Sequence, residues 1–596
     1  MPVVAVSAKR LNDLLGKEYE MNVLVHALEQ LGCDVEDTAI LNLYICPVCQ
    51  TPNDKLESED PPKRCDYCGH EGEEYFELYG SDKVIRIDLL ADRPDLFDSG
   101  GLSRALKGFL DLEKGLPELT AMPGNIEVHI DKALSSADSY RPYIVCAVVT
   151  MPPLDQNSLR EVMRLQENLH WGIGRDRKLA SIGVYDMDSI APPIRYSTVD
   201  PKAFTFHPLG MPDTLMTPEQ VLTTHPKGVA YAHLMEPYKR YPILIDAKDL
   251  VLSMPPIINS DETKCKIGTT CLFVDVTGTV ESAPVDSINT LISALIEIGG
   301  KVETVQMHFP ERTIATPDLT PGTITISYEE SKRWLGLEYT REEMIAYLEK
   351  MRFSVTPAGE RFEVKYPAFR TDMRHEVDVF EDLAIGYGYE RIEPKLVPNL
   401  TIGKARKEEE LSQLVRDVMI GLGFTEIMSL HLNSIERHFT KFGMEPGENH
   451  IIVSNPKTIE QKIARSHLMT GIMETFNKNR RKTVPQCLFE IGNILLIDSS
   501  RETGVSEYRH IAFSIIGPAT GYAEIRMNLD ALLHELRFSG DYKPVVHPSF
   551  CEGRCAEVTN DAGLWALLGE IHPQVLNNFS LTYTVSICEL RLLKVI

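Results

Sequence analysis

The chain has 596 residues, with 61 Lys and Arg against 86 Asp and Glu and a net charge of −25. That length predicts several domains, and the acidic balance excludes a protein that covers nucleic acid with a basic face along its whole surface. No apolar run reaches bilayer-spanning length, MPVVAVSAKRL lacks the marks of a secretory leader, and 12 cysteines at this length make no disulfide scaffold, so a reducing cytoplasmic setting is expected.

Residues 3 to 6, VVAV, read as a strand, and 7 to 35 as two short helices with stops near Gly16 and Gly32. The pattern returns later in the chain. Val4, Val6, Ser7, Leu15, Gly16, Tyr19, Leu28, Glu29 and Val35 match Ile324, Ile326, Ser327, Leu335, Gly336, Tyr339, Leu348, Glu349 and Val355 at a constant offset of 320 without a gap. Identity in one register at so many positions predicts an internal duplication of a strand–helix–helix module. Arg93 and Asp95 in ADRPDLF match Arg370 and Asp372 in FRTDMRH at the smaller offset of 277. The difference places an insertion at about 40 to 82 of the first copy.

That insertion holds Cys46, Cys49, Cys65 and Cys68 as CPVC and CDYC, with 15 residues between the knuckles. Paired CxxC knuckles at this spacing predict a zinc ribbon. Four thiolates close a tetrahedral Zn²⁺ site with no open position, so the expected ion is structural. So polar a window has little else to hold it folded.

Residues 110 to 124 read as a linker and 140 to 290 as a mixed α/β domain. Strand-like runs are YIVCAVV, ASIGVYD, YPILIDA, VLSM and CLFVDVTG, and an amphipathic helix fits 157 to 171. Arg175, Arg177 and Lys178 form a basic patch that reads as a solvated loop. Ser253, Asp275, Thr277 and Thr279 stand near strand ends, where small polar residues line pockets or form turns. No Ser/His/Asp or Cys/His nucleophile set is recognisable, so hydrolysis here would rely on positioned water and substrate groups.

Residues 284 to 306 read as helix then strand. The second copy of the module carries FRTDMRHEVDVFEDLAIGYGYERI at 369 to 392. A helix over 376 to 387 puts Asp378, Glu381 and Asp382 on one face, with Asp372 just before it. Clustered carboxylates repel and need compensation. Mg²⁺, with one or two direct carboxylates and several waters, would supply it; so would Arg370 and Arg374, and a solvated acidic face is the alternative. In the first copy the matched positions are Gly101, Arg104 and Ala105, so the shared scaffold does not need the cluster. From 400 on, a long helix fits KEEELSQLVRDVMIGLGF. Strands are expected at EIMSLHL, HIIVSN, QCLFEIGNILLI, RHIAFSII, CAEVTN, LWALLGEI and VSICELRLL, an antiparallel sheet with helices.

These stretches together resemble the β subunit of phenylalanyl–tRNA synthetase, in its archaeal and eukaryotic cytosolic form. The specific pieces are GLSRALKGF, RPYIVCAVV, LQENLHWGIGR, HPKGVAYAHLM, VLSMPPIINS, LFVDVTGT, the 369 to 392 stretch and LFEIGN. The resemblance implies an α2β2 tetramer that joins phenylalanine to tRNA(Phe) with ATP, the α subunit carrying the synthetic site. It implies Mg²⁺ on Asp372, Asp378, Glu381 and Asp382 near the subunit contact. It also implies an editing site for Tyr-tRNA(Phe) at Leu244, Ser253, Asp275 and Thr277. Editing answers a physical need, since an apolar pocket rejects an added hydroxyl only weakly. ARSHLMTGIMETFNKNRRK resembles a relic of a class II ATP-gripping segment, and no arginine lies between Trp565 and Leu581, so this chain is not expected to activate an amino acid.

The expected fold is α+β and multidomain, and no membrane contact is expected. Residues 1–110 form a module with the zinc ribbon at 40–82, 111–290 an α/β editing domain and 291–312 a connector. Residues 313–395 form the second module and 396–596 a catalytically inactive class II synthetase-like domain with an antiparallel sheet. The competing reading is a stand-alone relative that binds nucleic acid or protein through its helix–helix repeats and zinc ribbon.

Overall fold

Two serines begin the same structure twice. Ser7 ends strand β1 (Val3–Ser7) and its Oγ accepts from the Arg10 amide, starting helix α1 (Ala8–Leu15), which Gly16 stops at φ 66°. Ser327 ends a later strand, accepts from the Glu330 amide, and starts a helix that Gly336 stops at φ 65°. The residues repeated in sequence are thus an N-cap hydroxyl and a left-handed C-cap, two positions where the backbone dictates residue type. The computed structural model describes residues 3–48, 52–66, 69–71, 76–88, 92–135, 141–397, 401–561 and 563–592. The chain divides into two compact units, Met1–Lys395 and Leu396–Ile596.

In the first unit, α1 is followed by α2 (Met21–Gln30), β2 (Asp34–Ile45), β3 (Pro52–Leu56), β4 (Glu77–Asp88) and α3 (Ser99–Phe109), with sheet order β1-β4-β2-β3. The central part holds β5 (Ala121–Met122), β6 (Glu127–Ile130), β7 (Tyr143–Thr150), α4 (Gln156–Trp171), β8 (Ala180–Asp186), β9 (Ile194–Val199), α5 (Pro218–Thr224), α6 (Pro226–Tyr231), β10 (Tyr241–Ile245), β11 (Val251–Met254), β12 (Ile258–Asn259), β13 (Cys271–Gly278), α7 (Ser282–Glu297), β14 (Lys301–His308) and β15 (Thr313–Thr316). Its 11 strands form one mixed sheet, running β12-β11-β10-β9-β6-β14-β7-β13-β8 with β5 and β15 beside β14. The last part has β16 (Gly322–Ser327), α8 (Tyr328–Leu335), α9 (Arg341–Lys350), β17 (Ser354–Ala358), β18 (Arg361–Tyr366) and α10 (Glu376–Tyr387), with order β16-β18-β17.

The first and last parts share the order in which their strands pair. They differ at one turn. The β17–β18 hairpin closes at Gly359, φ 69°, whereas the β2–β4 ladder runs on from Asp34↔Asp88 to Ile45↔Glu77 and carries the cysteine-bearing insertion at its far end. The insertion docks on α4, where Asp54 pairs with Arg164. Helix α3 is almost wholly buried and packs against α7 and α9, and one apolar core joins both modules to α4 and α7.

The second unit contains α11 (Lys407–Gly421), β19 (Thr425–Glu426), β20 (Leu432–Asn433), α12 (Ile435–His438), β21 (Ile463–Ala464), α13 (Met469–Lys478), β22 (Gln486–Ile497), β23 (Val505–Gly517), α14 (Tyr522–Glu535), β24 (Asp541–Pro544), β25 (Phe550–Thr559), β26 (Trp565–Ile571), α15 (Pro573–Asn578) and β27 (Thr584–Arg591). Its seven-stranded sheet, β19-β22-β23-β27-β26-β25-β24, is antiparallel except for the parallel β19–β22 pair. Two expected strands are corrected. EIMSLHL is strand only at its ends, because Ser429 turns its amide and hydroxyl to the Glu490 carboxylate, 3.1 and 2.7 Å, in place of a ladder partner. HIIVSN makes a single bridge, Ile452↔Ile463, and no strand.

Candidate functional site

Strand β13 carries Asp275 and Thr277 with their neighbours on β7 and β8. Asp275 lies opposite Cys146 on β7 and Gly183 on β8. Ser253 lies on β11, opposite Leu244 on β10. Asp275 and Ser253 meet through a residue the sequence did not single out. The Tyr185 hydroxyl stands 2.5 Å from Asp275 Oδ1 and 2.8 Å from Ser253 Oγ, and all three side chains are buried. They line one end of a cavity of about 70 Å³ whose other walls are Glu167, His170, Arg177, Lys227 and Ile257.

The other two expected residues sit beside this cavity. Leu244 is fully buried in the apolar cluster that contains Tyr185 and Phe273. Thr277 is held by Arg141, whose guanidinium donates to its Oγ1 and carbonyl at 2.9 Å each. Thr277 therefore props the strand beneath the cavity.

Burial pushes the Asp275 carboxyl up to about 7, against the opposing pull of the Tyr185 hydroxyl and Arg141. Burial also drives the His170 ring down to about 4, with Arg177 adding to the effect. His170 Nε2 accepts from the Ile182 amide at 2.8 Å, which puts the ring proton on Nδ1, 3.6 Å from Glu167. Burial works to raise Glu167, but Arg177, His170 and Lys227 hold it well below the carboxylate range. The site thus pairs a carboxyl poised near neutrality with an ionised, cation-clamped carboxylate.

Of the solvated loop expected at 175 to 178, Arg175 and Lys178 are exposed as expected, and Arg177 is corrected. Arg177 is buried and donates to Glu167 at 2.7 Å and to the Ile257 carbonyl at 2.9 Å. Arg175, Asp176 and Arg177 take φ of 49°, 55° and 64°, three left-handed residues in a row. Side chains adopt that conformation only where contacts hold it. The basic spacing alone carried no sign of this; the sign lay in Gly172 and Gly174, which crowd Phe97 and His170 and close the turn.

The acidic stretch forms α10 over the expected residues, and its charges are compensated within the chain. Arg370 donates to both Asp372 oxygens, at 2.9 and 2.6 Å, and to Asp382 at 2.5 Å. Arg93 of the first module pairs with Asp95 at 2.9 Å and comes within 4.0 Å of Asp382. Asp378 accepts from the Arg374 and His375 amides at 2.7 and 2.6 Å, closing the helix start. Glu381 is exposed, and its carboxyl is raised by burial of its base and by Asp382, Asp92, Asp372 and Asp378. Among the described residues no three Asp, Glu, His or Cys converge closely enough to hold a bare ion. With Asp372 and Asp382 held by Arg370 and Asp378 by the helix-start amides, Glu381 is the carboxylate of the four left exposed, so the residues fit an ion that keeps most of its waters rather than a closed cage.

Of the four cysteines, Cys46 and Cys65 are buried together with Tyr44 and Phe76, and Asn53 Nδ2 lies 3.6 Å from Cys65 Sγ. Gathering one thiol from each knuckle fits a shared ion; Cys49 and Cys68 lie outside the described residues. In the second unit, Arg465 is buried and committed to Glu490 at 2.6 Å, Asn493 O at 2.8 Å and Ser429 Oγ at 3.2 Å. Among the described residues no helix is long and apolar enough to cross a membrane.

Residues 394–592 match the family model described as the phenylalanyl tRNA synthetase beta chain CLM domain, and 324–389 match that of the tRNA synthetase B5 domain. A phenylalanine–tRNA ligase beta subunit of Archaeoglobus fulgidus is 37% identical over 513 residues, covering 86% of this chain and 91% of that one. One from Methanosphaera stadtmanae is 34% identical over 594 residues, 98% of each. Among solved structures, an N-terminal fragment of the phenylalanyl-tRNA synthetase beta subunit of Pyrococcus horikoshii is 32% identical with a TM-score of 0.55, covering 65% of this chain and 99% of that fragment. With a matched relative so similar over nearly its full length, the chain belongs to the phenylalanine–tRNA ligase beta subunit family.

Proposed function

We propose that this chain is the partner of a catalytic α subunit in an α2β2 phenylalanine–tRNA ligase of the cytoplasm, and that its central domain hydrolyses Tyr-tRNA(Phe). Family membership supports the first half, and supports it over a stand-alone binding module. The second half is carried by one observation: Asp275, Ser253 and Tyr185 meet at the end of a buried cavity, where an acceptor suits the hydroxyl that distinguishes tyrosine from phenylalanine. A buried acceptor discriminates strongly because the wrong substrate leaves it unpaired. The ester would then lie toward Glu167, His170, Arg177 and Lys227, with cations placed for the ribose–phosphate end. Leu244 and Thr277 complete the assignment as wall and strand prop.

ATP-dependent synthesis belongs to the partner. Arg465, the buried arginine of the relic segment, is committed to Glu490 and Ser429, which supports an inactive class II-like domain at 396–596. The remaining domains are proposed as 1–110 with an insertion at 40–82, a central editing domain and a duplicate of the first module. The connector expected at 291–312 is corrected, because β14 (Lys301–His308) pairs with β6 and β7 inside the central sheet and β15 pairs with β14, so the central domain runs on from 111 through Thr316 and the duplicate begins at β16. Asp372, Asp378, Glu381 and Asp382 are proposed to hold Mg²⁺, which when bound would neutralise the acidic face at the subunit joint. Cys46, Cys49, Cys65 and Cys68 are proposed to hold one structural Zn²⁺.

Hydrolysis of Tyr-tRNA(Phe) by the reconstituted tetramer tests the reading. Asp275→Ala is expected to slow it by about 100-fold, the scale of one lost buried hydrogen bond to a charged group, while phenylalanine charging continues. Unchanged hydrolysis refutes the pocket. Metal analysis should give one zinc per chain, lost in Cys46→Ser; zinc-free native protein contradicts the ribbon.

A further inference from the structure

Tyr185 joins Asp275 to Ser253 in the reading above without a role of its own, yet the fold makes room for it. Gly183 lies directly opposite Asp275, and Tyr185 is two residues on, on the same face of β8. A Cβ on Gly183 would stand 1.9 Å from Tyr185 Oη and 2.3 Å from Asp275 Oδ1. Only glycine lets the phenol lie back along its own strand to reach the carboxylate.

The proton count in this cluster is unequal. Tyr185 has one hydroxyl proton and two neighbours. Once ionised, Asp275 only accepts, so in that state the proton goes to its Oδ1 at 2.5 Å. Ser253 Oγ, 2.8 Å from the same phenol oxygen, must then donate to it. The chain therefore runs Ser253 to Tyr185 to Asp275, and the Ser253 proton is spent inward. Both groups that line the cavity are left as acceptors: the Ser253 oxygen and the second Asp275 oxygen, which has no hydrogen-bond partner among the described residues.

We propose that Tyr185 is a positioning residue for tyrosine recognition: by donating to Asp275 and taking the Ser253 proton, it turns both side chains into acceptors for a substrate phenol. The proposal rests on the reading of this cavity as the editing site. Without the Tyr185 hydroxyl, Asp275 loses a donor that favours its ionised form and Ser253 regains a free proton. Asp275 would then hold a proton at neutral pH and meet a phenol as a competing donor. Burial already holds this carboxyl near 7, so a modest further push suffices. The groups that face it are Cys146 on β7, Arg141 beneath Thr277, Tyr185 on β8 and Ser253 on β11, and across the cavity Glu167 and His170 on α4, Arg177 and Lys227.

The test is the pH profile of Tyr-tRNA(Phe) hydrolysis by the tetramer carrying Tyr185→Phe. Hydrolysis by the unaltered enzyme should rise as pH passes about 7, where Asp275 ionises. In the variant the rise should move up by a unit or more, leaving a tenth or less of the rate at pH 7 (one unit is tenfold in the ionised fraction) and recovering it at alkaline pH. An unshifted profile overturns the proposal, whether the rate is normal or uniformly low. Asp275→Ala separates the layers. If it leaves hydrolysis intact, the cavity reading falls with the proposal; if it abolishes hydrolysis while Tyr185→Phe keeps its profile, only the positioning role falls. Should Tyr185→Phe impair folding of the tetramer, the infrared band of protonated Asp275, identified by its loss in Asp275→Asn, can be titrated in Tyr185→Phe at low temperature; an unmoved titration overturns the proposal equally.

Discussion

The two modules start alike and end differently. Each opens with a serine-capped helix stopped by a left-handed glycine, and each places an arginine and an aspartate, Arg93 with Asp95 and Arg370 with Asp372, before its last helix. In the first module that helix, α3, is packing material: Gly100, Gly101 and Gly108 lie against backbone, and Arg104 stacks on Phe369 with 3.8 Å to the ring centre. In the second module the matched helix, α10, closes its start with Asp378, buries Asp382 on Arg370, and leaves Glu381 in solvent. The same scaffold thus serves once as core and once as an acidic face. Burial of a helix on all sides selects small residues, while a free face is open to charge and to a role outside the chain.

The largest way to break this comparison is to remove Arg370. Asp382 is 2% exposed, and Arg370→Ala would leave a buried carboxyl without its main cation, beside Asp372. A loss of about 3 to 5 kcal/mol is expected, read by urea unfolding. A loss below 1 kcal/mol would mean that another group already carries the compensation.

Matched substitutions sharpen it. Gly101→Ala puts a Cβ 1.7 Å from the Asp95 carbonyl, a clash with backbone that cannot swing away. About 3 kcal/mol of destabilisation is expected. The counterpart, Asp378→Ala, only removes a carboxylate from two helix-start amides and should cost about 1 kcal/mol. Equal costs in thermal unfolding would erase the distinction between a packed and an open helix. The smallest effect is at Glu381. Without divalent cation, Glu381→Gln should raise the melting temperature slightly by relieving repulsion from Asp382, Asp92, Asp372 and Asp378. With Mg²⁺ present the order should reverse if Glu381 is, as proposed, one of its ligands.

Much of the scaffold was legible because it is local. Caps, glycine stops and the 376 to 387 helix depend on residues a few positions apart, and the repeat exposed them twice. What failed to read depends on distant partners. EIMSLHL has a strand's apolar alternation, but a carboxylate 61 positions away takes its central amide. Arg177 looked like a solvated charge because nothing near it in sequence announces the Ile257 carbonyl that anchors it. Asp275 and Ser253 came from family likeness; Tyr185 came from neither likeness nor spacing, since its place depends on Gly183 standing opposite Asp275. Arg370 as the compensating cation was one of the alternatives the sequence left open, and the geometry selects it for Asp372 and Asp382.

The central claim, that the second module's free face is a cation-set joint to a partner, has one direct test. Glu381→Arg gives α10 the residue type that α3 carries at the matched position. Mass measurement of the purified chain mixed with a class II α partner should show an α2β2 complex for the unaltered chain in Mg²⁺, and loss of that complex for Glu381→Arg without loss of fold. Undiminished assembly of the variant, or a monomer of the unaltered chain in the presence of the partner, would contradict the account.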